Sequence, residues 1–426
     1  MNALLRLLLC AMLLFPLHAT QAQTSKVTKR ENINGRDVVP LLQFPGITQA
    51  EFQDAFNVLD ECLVMDEPRF GFTHPFIAPG GHYGGCWWQL DGTLALHGTK
   101  WVNQPFSENV LRGFMAVQKP DGRIPLYGHQ VVPDFPTGSS LPKYFLAART
   151  VLKQSRDKQL TDSVYHRLRR YLDWWLSDAR KDETTGLITG VFEESFPPIE
   201  NRLKTMAQVD LNVEVAAGCA YVAELALQLD RVQEHKKYLQ CSRDLTEAIN
   251  KYMWHAGQGA YFAYNVKSHQ LDEKLIAYTF DPLKMNIAPA DRTKKMLALL
   301  TDHTYFNWDG NTVTSAAKTD RTYNETTGNY NGAPAWSGDI WTLRNEAIIQ
   351  GLQDIGRYDL AAGLSLKSVN LVNGKYTEFF KPSDGSGHGV KRYAWTAAQY
   401  IQIIIENIFG IDYNVFQKTI TIRPNL

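Results

Sequence analysis

An excess of charge of either sign is what this chain most plainly lacks: 44 Lys and Arg face 44 Asp and Glu, and the formal net charge is zero. No long basic or acidic run breaks that balance, which leaves no electrostatic footprint for nucleic acid or an anionic membrane. The expected partner is neutral. Cysteine is also scarce, with five in 426 residues. No two cysteines have the spacing of a zinc site, so neither a metal nor another cofactor is called for. Beyond the N-terminus nothing approaches the ~18 uninterrupted apolar residues of a membrane span. No Pro- or Ser-rich linker divides the chain, which reads as one domain.

The N-terminus reads as an export signal over residues 1–22. Arg6 supplies the basic region, Leu7 to Leu17 the apolar run and Thr20-Gln21-Ala22 a small-residue exit. The chain from Gln23 to Leu426 is then a secreted or periplasmic domain of about 400 residues. Cys10 lies in the apolar run without the small residues a lipid anchor requires. Cleavage leaves Cys62, Cys86, Cys219 and Cys241, an even number that permits bridges in an oxidising compartment without choosing among three connectivities. Cys219, inside the apolar run Val213 to Leu229, fits a small buried hydrophobe.

What is present is helix. Amphipathic periodicity predicts helices over Gln49–Val64, Ser107–Val117, Leu141–Gln154, Thr161–Arg180, Val209–Leu229, Arg231–Met253, Ala290–Asp302, Asp339–Ile355, Tyr358–Leu371 and Tyr393–Phe409. Long loops rich in Gly, Pro, Asn and aromatics recur between them: Gly71–Gln89, Asp121–Ser140, Thr185–Gln208, Tyr305–Ser337 and Lys375–Lys391. Loops of that length in a compact domain usually carry function. Their recurrence after alternate helices predicts a toroid with the loops gathered at one end. The tail from Gly410 to Pro424 alternates like a strand, a short β addition.

One loop carries a chemical signature. Gly374-Lys375-Tyr376-Thr377-Glu378-Phe379-Phe380-Lys381-Pro382 sets a single carboxylate among aromatics, before a Gly/Ser-rich stretch and the apolar helix at Tyr393-Ala394-Trp395-Thr396-Ala397-Ala398. Aromatic faces stack on the C–H faces of pyranose rings, and a carboxylate among them can take a proton from water. With ten Trp and nineteen Tyr, the composition suits carbohydrate stacking and a large core equally.

Several segments resemble the α/α-toroid glycoside hydrolases that include trehalases, processing α-glucosidases and mannosylglycerate hydrolases. Cys86-Trp87-Trp88-Gln89-Leu90-Asp91-Gly92 resembles their aromatic-aromatic-Asp segment, which implies sugar binding by Asp91, Trp87 and Trp88. Val209-Asp210-Leu211-Asn212 is similar to a trehalase motif, although Asp210 equally suits a helix N-cap, as does Asp91. Tyr330-Asn331-Gly332-Ala333-Pro334-Ala335-Trp336 is similar to a Gly-Pro-x-Trp segment and implies that Trp336 lines the site, with Trp395 and Arg202 as further contacts. Glu378, followed by Trp395-Thr396-Ala397-Ala398, takes the position of the general base. The resemblance runs roughly from Trp87 to the C-terminus and implies an (α/α)6 barrel, all-α with the short β addition.

One segment departs from that pattern. Glu194-Ser195-Phe196-Pro197-Pro198-Ile199-Glu200-Asn201-Arg202 places Pro198 where the resemblance expects the acid. Glu193, Glu194 and Glu200 share this segment with Phe192, Phe196 and two prolines, a lining that raises a carboxyl's pKa. Either Glu194 or Glu200 is expected as the acid, or the acid is lost. The implied activity is inverting, exo-acting hydrolysis of an α-linked glycoside by two carboxyl groups. Two alternatives stay open: a polysaccharide lyase, for which His82 and Tyr83 would matter, and a non-catalytic carbohydrate-binding descendant.

Overall fold

The computed structural model describes residue 33 and residues 39–65, 71–128, 137–191, 193–196, 203–325 and 337–424. The expected leader, together with Glu200, Arg202 and Trp336, lies outside the described residues. The chain is mostly helical, and its helices divide into two kinds that alternate along the sequence.

The first kind is amphipathic: α1 (Gln49–Glu61), α3 (Gln104–Ala116), α5 (Lys158–Trp175), α7 (Val232–Tyr252), α8 (Ala290–Thr301) and α10 (Tyr358–Val372). Each buries one stripe and leaves the other face wet. Three of these helices start on side-chain caps. Thr48 and Glu51 close a capping box on α1, with the Thr48 amide donating to Glu51 Oε2 at 2.8 Å; Asn103 and Asp157 cap α3 and α5. Such caps satisfy amides that the first turn leaves open.

The second kind is buried nearly all round: α2 (Gln89–Thr99), α4 (Tyr144–Leu152), α6 (Val209–Gln228), α9 (Thr342–Asp354) and α11 (Ala394–Gln402), with a 3₁₀ segment, Ala277–Asn286, acting as a sixth. All eleven residues of α2 and all nine of α11 are buried. None of the six starts on a cap from its own N-cap side chain. They pack in ring order, α2 on α4, α4 on α6, α6 on the 3₁₀ segment, that on α9, α9 on α11, and α11 back on α2.

Observed ends differ from the expected ones by a few residues, and two elements were not expected. Helix α2 has no polar face, so its sequence shows no period to detect. The 3₁₀ segment contains Pro282 and a left-handed Met285 (φ 54°), which interrupt any helical pattern. The last helix also stops early, at Gln402, and continues as a π-helical turn over Ile403–Ile408. Short strands decorate the ring: β1 (Trp87–Trp88) pairs with β2 (Tyr127–Gly128), β3 (Thr377–Phe380) with β4 (Gly387–Lys391), and β5 (Ile411–Asn414) with β6 (Thr419–Ile422), all antiparallel.

Candidate active site

Glu378 sits on β3, where the pairing with β4 shifts register between Thr377 and Phe379. Such an irregularity turns a side chain away from the direction that regular alternation gives it. The carboxylate is buried at 2% exposure and held on both oxygens. Oε2 accepts the Val390 amide at 3.0 Å, and Oε1 accepts the Tyr83 hydroxyl at 3.1 Å. Gly389, at φ 72°, makes room for it: a Cβ there would stand 2.7 Å from Glu378 Oε2 and 2.6 Å from the Phe379 ring.

Asp91 enters from the first turn of α2. It does not cap that helix; Trp88 holds the N-cap position without a side-chain bond, and Asp91 lies inside the turn. Its Oδ1 accepts the Tyr393 hydroxyl at 2.7 Å. Burial drives its pKa up to about 7; the Tyr393 bond opposes that rise, and the nearby charge of Glu378 adds to it. Desolvation penalises the charged form of any carboxyl, and a like charge adds to the penalty.

The loop expected to carry the acid holds the main surprise. Glu194, one of the two expected acids, is fully buried and committed elsewhere. One oxygen pairs with the Arg180 guanidinium and also accepts the Val191 amide at 2.6 Å, while the other accepts the Ser139 amide at 2.7 Å. Arg180 in turn lies over the Trp174 and Trp175 rings, 4.0 and 4.9 Å from their centroids. Glu194 therefore anchors the loop: burial still raises its pKa, against the pull of Arg180 and the two amides, but both its oxygens are taken by those partners. Its neighbour has different company. Glu193 is half-buried and holds a left-handed backbone at φ 70°. Burial, then the charges of Asp91 and Glu378, lift its pKa to about 8. Three carboxyl groups thus meet in one place.

Asp210, read as a possible N-cap, is the second residue of α6 and does other work. It accepts the Ser195 hydroxyl and the Phe196 amide, each at 2.6 Å, and lies 3.7 Å from the Arg344 guanidinium. This clamps the loop from the far side. Phe196 then stands edge-on to Trp341 and Trp395, at 5.0 and 5.9 Å. Trp395 meets Tyr393 at 5.0 Å, and Trp341 stacks on Phe379 at 4.9 Å. An aromatic wall therefore joins the Glu193, Asp91 and Glu378 segments.

The two early tryptophans part company. Trp87 is buried against Phe72 and Phe114 in the main core and does not reach the wall. Trp88, one residue on and facing the opposite way along the strand, packs on Tyr127 at 4.6 Å and Tyr83 at 5.7 Å. Among the described residues the indole N–H groups of Trp88 and Trp395 are buried without an acceptor. An orphaned buried donor is costly unless a ligand satisfies it. Tyr393, Trp341 and Phe196 were not singled out as contacts by the sequence reading; Tyr83 was weighed only for lyase chemistry.

Comparison with known proteins shows what the chain resembles. A family model described as "Mannosylglycerate hydrolase MGH1-like glycoside hydrolase domain" matches residues 197–396, a stretch that contains Glu378 and Trp395 and starts just after Glu193 and Glu194. Similarity to individual proteins falls in two places. Mannosylglycerate hydrolase from Rubrobacter radiotolerans is 27% identical over 186 residues, 43% of this chain and 40% of that one. Periplasmic trehalase from Escherichia coli O8 (strain IAI1) is 28% identical over 130 residues, 30% of this chain and 20% of its own. The matched stretches span well under half of both relatives. Among solved structures, GH63 mannosylglycerate hydrolase from Thermus thermophilus in complex with Tris superposes with a TM-score of 0.68 at 18% identity, covering 82% of this chain and 99% of that one. Neutral trehalase from Saccharomyces cerevisiae gives 0.61 at 16% identity, covering 78% and 73%. The chain thus shares its fold with these enzymes and resembles the trehalase and mannosylglycerate hydrolase group of glycoside hydrolases.

Proposed function

We propose that the chain is an exported glycoside hydrolase: a single (α/α)6 toroid that hydrolyses an α-linked glycoside from its end with inversion. The observation that carries this reading is the meeting of Glu378, doubly hydrogen-bonded, with carboxyl groups whose pKa values are raised. Pairs of titratable groups pushed apart by their surroundings mark acid and base roles. Glu378 is the base. It takes a proton from water as the water oxygen attacks the anomeric carbon, while a carboxyl from the opposite loop protonates the departing glycosidic oxygen. Asp91 and the indole donors of Trp88 and Trp395 hold sugar hydroxyls. The ring-order packing of six buried elements inside six amphipathic helices supports the toroid.

Relatives named for mannosylglycerate and trehalose make short glycosides the first substrates to try. Proton NMR in the first minutes of turnover tests the stereochemistry: a β-anomer released first from an α-linked substrate is the expected result. An α-anomer would demand a nucleophile and a carboxyl separation of ~5–5.5 Å, and would overturn the inverting assignment. Retained sugar binding without turnover would point to a non-catalytic descendant, and absorbance rising at ~235 nm to a lyase product.

A further inference from the structure

We infer that Glu193, the neighbour of the buried Glu194, is the general acid; this rests on the glycosidase reading above. The geometry separates two adjacent glutamates. Glu194 faces inward and spends both oxygens on Arg180 and on the Ser139 and Val191 amides. Glu193, next to that anchor, is left half-buried in a group with Asp91 and Glu378. Its backbone supports a functional reading independently. A left-handed φ of 70° on a glutamate is costly and persists only where its surroundings impose it. Those surroundings are visible: the Leu141 amide donates to the Glu193 carbonyl at 2.9 Å, Glu194 is pinned on one side, and Asp210 holds Ser195 and Phe196 on the other. The loop is built to present one side chain, that of Glu193, towards the base.

The Glu193 O–H proton passes to the glycosidic oxygen as the bond from that oxygen to the anomeric carbon breaks, and the leaving group departs as an alcohol. Water forms the new bond to carbon and gives its proton to Glu378. Glu193 ends as a carboxylate, and proton exchange with solvent resets both groups.

Leaving-group dependence tests the assignment on the full-length chain. Glu193→Gln should lose about 10²–10⁴-fold in kcat on an alkyl glycoside or disaccharide, yet less than about tenfold on a dinitrophenyl glycoside, whose departure needs no proton. Glu193→Asn, with a residue that tolerates the left-handed region, should show the same selectivity and guards against misfolding. Glu200→Gln should show none. Glu194→Gln should lower Tm and affect both substrate classes equally. Wild-type-like rates in Glu193→Gln on both substrates, equal losses on both, or selectivity in Glu200→Gln instead would each overturn the assignment. If Glu378→Gln is meanwhile inactive, the glycosidase reading survives; a wild type inactive on every glycoside sinks both.

Discussion

Two charge clusters lie at different places along the inner helices and the loops between them, and they differ in one respect. One joins Lys143, Glu214 and Lys284, whose side chains are 1%, 3% and 5% exposed; both ammonium groups lie 2.6 Å from the same Glu214 oxygen. Burial by itself would raise the Glu214 pKa, but the two lysines outweigh it and hold the carboxyl down at about 2. The other cluster contains Asp91, Glu193 and Glu378. Among the described residues no lysine or arginine pairs with Asp91 or Glu193, and burial lifts these two to about 7 and 8. Glu214 lies one helical turn beyond Asp210 on α6, whose start clamps the acid loop. Burial is therefore common to both sites, and partnership decides the outcome. In the first cluster two lysines fix the carboxylate as a structural ion pair, whereas in the second, under the proposed function, carboxyls left to face one another serve as proton donor and acceptor.

Breaking each cluster should hurt a different property. Glu378→Gln should keep the fold while kcat falls about 10²–10⁴-fold, because the substitution preserves shape and removes the base; steady-state kinetics alongside circular dichroism checks both halves. In the matched cluster, Glu214→Gln strips two buried lysines of their counter-ion, which should cost on the order of 3–5 kcal/mol. A fall in Tm of many degrees is expected, and an unchanged Tm would erase the contrast.

Smaller changes sharpen the comparison. Gly389→Ala should displace the base by overlap with Glu378 and add left-handed strain, lowering kcat roughly tenfold at a stability cost of about 1–3 kcal/mol. Asp91→Asn should do the opposite to stability. The unfolded carboxyl has a pKa near ~3.9, and the folded one is at about 7. Between those values the folded state keeps a proton that the unfolded state has released. Wild-type stability therefore declines as pH rises through that window, with the decline complete above pH 7. The asparagine variant lacks this decline, so its stability should exceed the wild type's at pH 8 by on the order of 4 kcal/mol, read as a higher Tm, and converge with it near pH 4. Sugar binding should weaken in the same variant.

Much of this was written in the sequence, unevenly. The amphipathic helices were legible to within a few residues because a half-wet helix must alternate its faces. Helix α2, buried on every side and broken by Gly92 and Gly98, was not, although the similarly buried α4, α6, α9 and α11 were. Glu378 stood out through its aromatic flanks. The acid loop displayed its glutamates but not their directions, because no local pattern marks Glu193 as left-handed or ties Glu194 to Arg180, fourteen positions away. Trp87 and Trp88 were treated alike, although neighbours on a strand point to opposite faces, so one had to face away from the site.

The ring closes where α11 returns to α2, and that seam passes through the site: Tyr393 bonds Asp91 across 302 positions of sequence. Contacts of such separation form late, since a long loop must be closed before they repay its entropy. During synthesis Asp91, Glu193 and Glu378 all emerge from the ribosome before the helix that completes their surroundings. Catalytic competence is therefore tied to completion of the chain, and a truncation just before Tyr393 would retain every carboxyl of the site while losing the seam that holds them together.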